Sequence, residues 1–382
     1  MRTLGIDLGT SGVRAVVLDE QGEVVSHAVP IAAAERTDPA ALWAGVAAVL
    51  HALDLSEVRA LAVDGTSGTL IPIGADAAAL GKLSLYDEPG SALARALGLQ
   101  ATPGVRRILH EADWIAGRLC GQFDTTDANN ALKTGYDPVA QAWASDIGLR
   151  TLLPRVLSPG TAFATVTPAV SSCFGLPHDA IVAVGTTDGC ASFLSTGADA
   201  PGDAVTALGS TLTLKLLSGV PVSAPSFGIY SHRLLGHWLA GGASNSGGAV
   251  LAAYFTPVRL DELSRRIDPA CDSGLDYYPL ARPGERFPLN DLALPPRLSP
   301  RPADDALFLH GMLEGIARIE ALGYRRLAEH GAPPVRRVLT VGGGAANPVW
   351  TAIRERILGV PVLRADASAA HGSAMLARRA LA

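Results

Sequence analysis

The six residues Asp7-Leu8-Gly9-Thr10-Ser11-Gly12 constrain this chain more than any other stretch. They join a strand-like run, Thr3 to Leu8, to a second, Val13 to Asp19, through a tight turn of glycines and hydroxyl residues. Glycine lacks a Cβ, so backbone N–H groups there can approach a phosphate. Thr10 and Ser11 add donors, and Asp7 can hold Mg²⁺ directly or through water. Taken alone, the segment is equally an ordinary glycine hairpin with a capping aspartate. The pattern returns, however: Leu208-Gly209-Ser210-Thr211 repeats it 200 positions later, between strand-like runs at Asp203 to Leu208 and Leu212 to Leu217. Such an internal repeat predicts two related lobes, and two such turns facing each other would clamp a triphosphate.

A length of 382 residues is enough for two domains. After a third expected strand, Glu23 to Val29, the pattern predicts a helix over Pro39 to Leu53, a buried strand over Val58 to Asp64, another near Leu70, and helix over Val105 to Leu119. The apolar run Ala180 to Val184 reads as a strand that ends in Gly185-Thr186-Thr187-Asp188-Gly189, with helix from Cys190 to Leu194. The proline-rich, aperiodic stretch Arg282 to Pro302 is expected to be a surface loop, followed by a long helix from Asp304 to Glu329. Strands alternating with helices predict an α/β fold. The expected boundaries are residues 1–195 for one lobe and 196–366 for the other, with a last helix, 367–382, returning to the first.

Two further segments carry chemistry. Asp188 stands where a strand delivers an acid to the junction of the two units, placed to take the proton of an attacking hydroxyl; an N-cap for the following helix is the plain alternative. Gly342-Gly343-Gly344-Ala345-Ala346-Asn347 follows an expected strand, Val335 to Thr340, and precedes an expected helix, Pro348 to Leu358. Its glycines let a flat ring lie against backbone. A dinucleotide-binding turn would need glycine where Asn347 stands.

Other features have plainer readings. Gly74 to Lys82 has the wrong spacing for a P-loop, and no serine sits in a G-x-S-x-G elbow. Trp114, Trp143, Trp238 and Trp350 are expected to fill cores or shield pockets. Glu314, Arg318 and Glu320 on the long helix are expected on a solvated face. A net charge of −5 offers no basic field, which disfavours a nucleic-acid partner, and no apolar run is long enough for a membrane span. The four dispersed cysteines and the strand that begins two residues after Met1 predict a cytoplasmic protein without a signal peptide.

The order of these segments resembles the FGGY carbohydrate kinases, of the actin, sugar-kinase and heat-shock ATPase superfamily, from Leu4 to Leu376. The resemblance implies a two-lobed actin-like ATPase fold of duplicated ribonuclease H-like domains with an active-site cleft between them. The first lobe would bind the sugar and the second the nucleotide. It makes Gly9, Thr10, Ser11, Gly209, Ser210 and Thr211 phosphate contacts and Gly342, Gly343, Gly344 and Asn347 adenosine contacts. Asp7 would hold Mg²⁺, and Asp188 would be the catalytic base. Asp64 to Thr69, Asp127 to Asp137 and Gly284 to Pro288 look like the plant and cyanobacterial D-ribulokinase branch, which implies that Asp7, Ser67 and Asp188 contact a ketose. Leu85 to Gly90 departs from that branch in lacking its arginine. The implied substrates are ATP and a small sugar, D-ribulose before D-xylulose. A non-catalytic or polymer-forming actin-like protein is the alternative of another class; it would need neither Asp188 nor Ser67.

Overall fold

The computed structural model describes residues 1–22, 24–149 and 152–382, with only the backbone of Val24; the expected start of the third strand at Glu23 lies outside them. The chain divides into two compact units. One comprises Met1–Ser195, His232–Leu235 and Ala367–Ala382, the other Thr196–Ser231 and Gly236–Asp366.

In the first unit, β1 (Arg2–Gly9), β2 (Gly12–Leu18) and β3 (Val24–Pro30) form an antiparallel meander. Next to β1 lies β4 (Val58–Gly65), parallel to it, followed by β5 (Ala162–Thr165) at the edge and β6 (Ile181–Thr187) between β5 and β4. Helix α1 (Pro39–His51), capped by Asp38, packs on the meander. Leu4, Ile6, Val13, Val46, Val49 and Val63 form the centre of the core, each at most 1% exposed. At about 25 cal/mol per Å² of apolar surface, such strands are held by burial of alternate or continuous apolar faces rather than by local propensity.

Helix α2 (Glu111–Cys120) starts later than the periodicity predicts: Arg107–His110 is a strand paired antiparallel with Leu70–Ile73. Those four residues gain sheet hydrogen bonds that a longer helix would forfeit. Strand β6 runs past Val184 to Thr187, so α3 (Asp188–Ser195) begins at the aspartate itself.

The second unit repeats the plan. Its strands β7 (Asp203–Leu208) and β8 (Leu212–Ser218) form the hairpin, and β9 (His237–Ser244) adds antiparallel to β8. On the other side of β7 lie β10 (Arg337–Val341) and β11 (Val362–Arg364), both parallel. Helices α4 (Asp305–Glu329) and α5 (Pro348–Leu358) pack together, and the terminal α6 (Ala369–Arg379) packs on β1 and α3 of the first unit.

Two expectations for the second unit are corrected. Glu314 and Glu320 are both 0% exposed, not on a solvated face. They survive burial because each is paired: Arg354 Nε and Nη2 donate to Glu320 at 2.6 and 2.7 Å, while Ser273 and Arg356 bind Glu314. The stretch Arg282 to Pro302 has no regular helix or strand, yet it is not simply surface. Glu285 and Phe287 are 0% exposed, and the Phe287 ring fills the space left by the missing side chains of Gly242 and Gly323. None of the described helices is long and apolar enough to cross a membrane.

Candidate active site

Parallel strands put their carboxyl ends on one edge, and ligands in open α/β sheets bind there. In the first unit the register pairs Asp7 with Asp64 and Thr186 with Asp64, so the ends of β1, β4 and β6 are adjacent. That register gathers Asp7, the loop carrying Ser67, and Asp188 from distant parts of the sequence. A register shift between Ala183 and Thr186 bends β6 just before the acid. Asn129 Nδ2 donates to Thr186 Oγ1 at 2.9 Å and fixes that bend, and the Gly189 N–H donates to Asp188 Oδ1 at 2.6 Å.

Asp7 is 3% exposed and Asp64 0%. Burial raises both, and the charge of Asp7 raises Asp64 further, so the proton of this pair belongs on Asp64. Ser373 of α6 donates to Asp64 Oδ2 at 2.5 Å. Sequence reasoning missed Arg14, whose Nη1 stands 3.5 Å from Asp7 Oδ2. A two-residue turn between β1 and β2 makes residues 7 and 14 direct partners, and counting back from Gly9 and Gly12 finds the pair. Ser67 Oγ is buried with no hydrogen-bond partner among the described residues. Such a group costs about 1–3 kcal/mol unless something fills the place, so it is a candidate contact for a ligand hydroxyl. Gly9, Thr10 and Ser11 form the tip of the β1–β2 hairpin, with both hydroxyl residues exposed.

The same logic organises the second unit. Ala207 pairs with Val341 in parallel, so the turn Gly209-Ser210-Thr211 lies next to the turn that starts at Gly342. The Gly209 N–H donates to Thr211 O at 3.1 Å and closes the first turn. A cavity of about 620 Å³ opens beside them, with Gly209, Ser210, Gly343, Gly344, Asn347 and Trp350 in its lining. Small-molecule sites span about 300–1,000 Å³. The three glycines have different reasons. Gly342 has φ +88°, and a Cβ there would lie 2.7 Å from Leu208 O; a Cβ on Gly344 would lie 2.7 Å from the Trp350 ring. Gly343 alone faces open space.

Asn347 caps α5 by accepting the Trp350 N–H at 3.1 Å and donates to Ser264 Oγ at 2.9 Å. Its amide therefore shapes the cavity wall as well as lining it. Thr211 and Gly342 do not line the cavity. The lining also includes Gly248, Ala249, Pro257 and Asp261, which sequence reasoning missed; the N–H groups of Gly248 and Ala249 donate to Gly209 O and Ser210 O at 2.9 and 3.1 Å. The signal was the Ser246-Gly247-Gly248 run between a strand and a helix.

The family model for the C-terminal domain of the FGGY carbohydrate kinases matches residues 207–381, which include both second-unit turns and α6. Residues 207–381 carry the C-terminal domain of the FGGY family of carbohydrate kinases. The chain is 24% identical to the xylulose kinase of Escherichia coli K12 over 98% of its own length and 89% of that protein's. It is 25% identical to the xylulose kinase of Klebsiella pneumoniae over 62% of its length, a match that spans 59% of the Klebsiella protein. Among solved structures, a protein described as a xyloylose kinase from Brucella ovis superposes with a TM-score of 0.87 at 23% identity, covering 100% of this chain and 90% of the other. At that identity the likeness establishes the fold, the two-lobed actin-like ATPase architecture.

Proposed function

We propose that the chain catalyses ATP-dependent phosphorylation of a ketopentose, with D-ribulose as the first substrate. The observation that carries this reading is the convergence of Asp7, Asp188 and the unpartnered Ser67 hydroxyl at the ends of three adjacent strands. Two acids and a buried donor suit a polyhydroxylated substrate, one of whose hydroxyls must lose a proton as it attacks phosphorus. In this reading Asp188 removes that proton, and Thr10, Ser11 and Arg14 stabilise charge on the transferred group. Gly209, Ser210 and Thr211 bind phosphate, and the cavity beside Gly343 takes the adenosine.

Mg²⁺ fits this donor set. Among the described residues no group of three or more His, Cys, Asp or Glu side chains could cage a metal, but Mg²⁺ bound with nucleotide needs only one or two carboxylates and keeps water and phosphate oxygens. Asp7 would hold it, and the ion would neutralise phosphate charge.

Two supports differ on the sugar. The likeness of Asp64 to Thr69 to the D-ribulokinase branch favours D-ribulose, while the names of the relatives favour D-xylulose, its C3 epimer. Gly284 to Pro288 no longer bears on the choice directly: Glu285 is buried against Ser244, Asn245 and Tyr278, and it braces the second unit. Incubation of the protein with ATP, Mg²⁺ and each ketopentose, with phosphorus NMR of the products, tests the proposal. A sugar monophosphate formed faster from D-ribulose than from D-xylulose is expected; a faster reaction with glycerol or an aldohexose would remove the ketopentose assignment.

A further inference from the structure

Glu111 is the first residue of α2 and 6% exposed, and nothing in the catalytic scheme above uses it. Its Oε1 accepts the Thr66 N–H at 2.7 Å and the Thr66 hydroxyl at 2.5 Å. Because Thr66 spends its hydrogen on Glu111, the 2.7 Å contact between Thr66 Oγ1 and Thr69 Oγ1 has Thr69 as donor. Thr69 Oγ1 in turn accepts the Tyr86 N–H at 3.2 Å. One polarised chain therefore runs from Tyr86 through Thr69 and Thr66 to Glu111, and it holds the loop in which Ser67 Oγ is left unpartnered. Glu111 Oε2 has no hydrogen-bond partner among the described residues.

We propose that Glu111 is a further substrate-binding and specificity-determining residue, whose Oε2–H donates to an oxygen of the sugar beside Ser67, the ketose carbonyl in particular. The inference rests on the sugar-kinase reading above and deepens it. The charged groups that act on Glu111 are Asp188 and Asp7, both acidic, and it in turn acts on the Tyr86 phenol. No basic side chain pairs with it among the described residues. Burial, the largest cause, pushes its carboxyl up to about 8, against the hydrogen bonds from Thr66. With two hydrogens already directed at Oε1, the carboxyl hydrogen sits on Oε2. A carbonyl oxygen only accepts, so a neutral acid matches it where a carboxylate would repel it; a polyol hydroxyl can reorient and donate elsewhere.

The test compares wild type, Glu111→Gln and Glu111→Ala, measuring kcat/KM for D-ribulose and the inhibition constant of ribitol, its counterpart reduced at the carbonyl. Glutamine can accept both Thr66 hydrogens at Oε1 and donate from the place of Oε2. It should keep ketose kcat/KM within about tenfold, while alanine loses about 100-fold for the ketose and less than about tenfold for ribitol. Glutamine falling as far as alanine, or alanine weakening ketose and polyol equally, overturns the assignment. Should the alanine variant fail to fold, the glutamine variant decides alone by the same tenfold limit. Wild type without sugar-dependent ADP release would overturn the sugar-kinase reading itself, an outcome distinct from an active wild type with a failed glutamine variant.

Discussion

Arg354 and Glu320 face each other inside the second unit, both 0% exposed, through two hydrogen bonds of 2.6 and 2.7 Å. The pair is fully satisfied. Arg354 Nη1 also donates to Thr340 Oγ1 at 2.7 Å, and Thr206 Oγ1 donates to Glu320 Oε1 at 2.6 Å. Thr206 and Thr340 lie on the strands that end in the Gly209 and Gly342 turns. Arg354→Met strands a buried carboxylate and should destabilise the protein by about 3–5 kcal/mol in urea unfolding. Adding Glu320→Leu should restore part of that loss; strict additivity of the two changes would contradict a coupled pair.

Asp188→Asn should lower turnover by about 10² to 10⁴, with ATP affinity nearly unchanged, because the amide keeps the shape but cannot take the proton. Steady-state kinetics with nucleotide titration measures both. Near-normal turnover would remove Asp188 from the reaction.

Among the three adjacent glycines of the second turn, only Gly343 points into open space beside the cavity. Gly343→Val should therefore leave the melting temperature close to that of wild type while raising the KM for ATP by at least about tenfold and that for sugar much less. Equal losses for both substrates would assign the effect to the fold.

Glu111 and Asp127 are pushed up by burial, to about 8 and about 6, from ordinary values of 4.5 and 3.8. The folded chain thus keeps protons that the unfolded chain releases, and the stability they contribute is full below the unfolded values and lost as pH rises through the folded ones. Urea midpoints for wild type should fall between pH 5 and pH 8, and Glu111→Gln should fall less over the same window. Parallel pH curves would show that Glu111 ionises freely in the folded state.

The two hairpins, the glycine turn after β10 and the helix over residues 305–329 were legible because each depends on local chemistry: a turn that needs glycine, a run that needs one period. The pairing of residues across strands was legible only in part. Arg14 follows from hairpin arithmetic, but the convergence of Asp64, Ser373 and Asp7 requires a parallel register and a helix more than three hundred residues away in the chain. Glu320 looked solvent-facing because its partner, Arg354, lies on another helix, and charge alone does not reveal a buried pair. The Glu285–Phe287 stretch looked like surface because its aperiodic backbone hides two side chains that reach the core.

The central claim is that this chain spends ATP on a sugar, and the most direct measurement is ADP release with and without ketopentose. A coupled assay across D-ribulose, D-xylulose, ribitol, glycerol and an aldohexose should show ADP release that depends on sugar, with the highest kcat/KM for D-ribulose. ADP release at the same rate without any sugar would contradict the account and favour an actin-like ATPase of another kind.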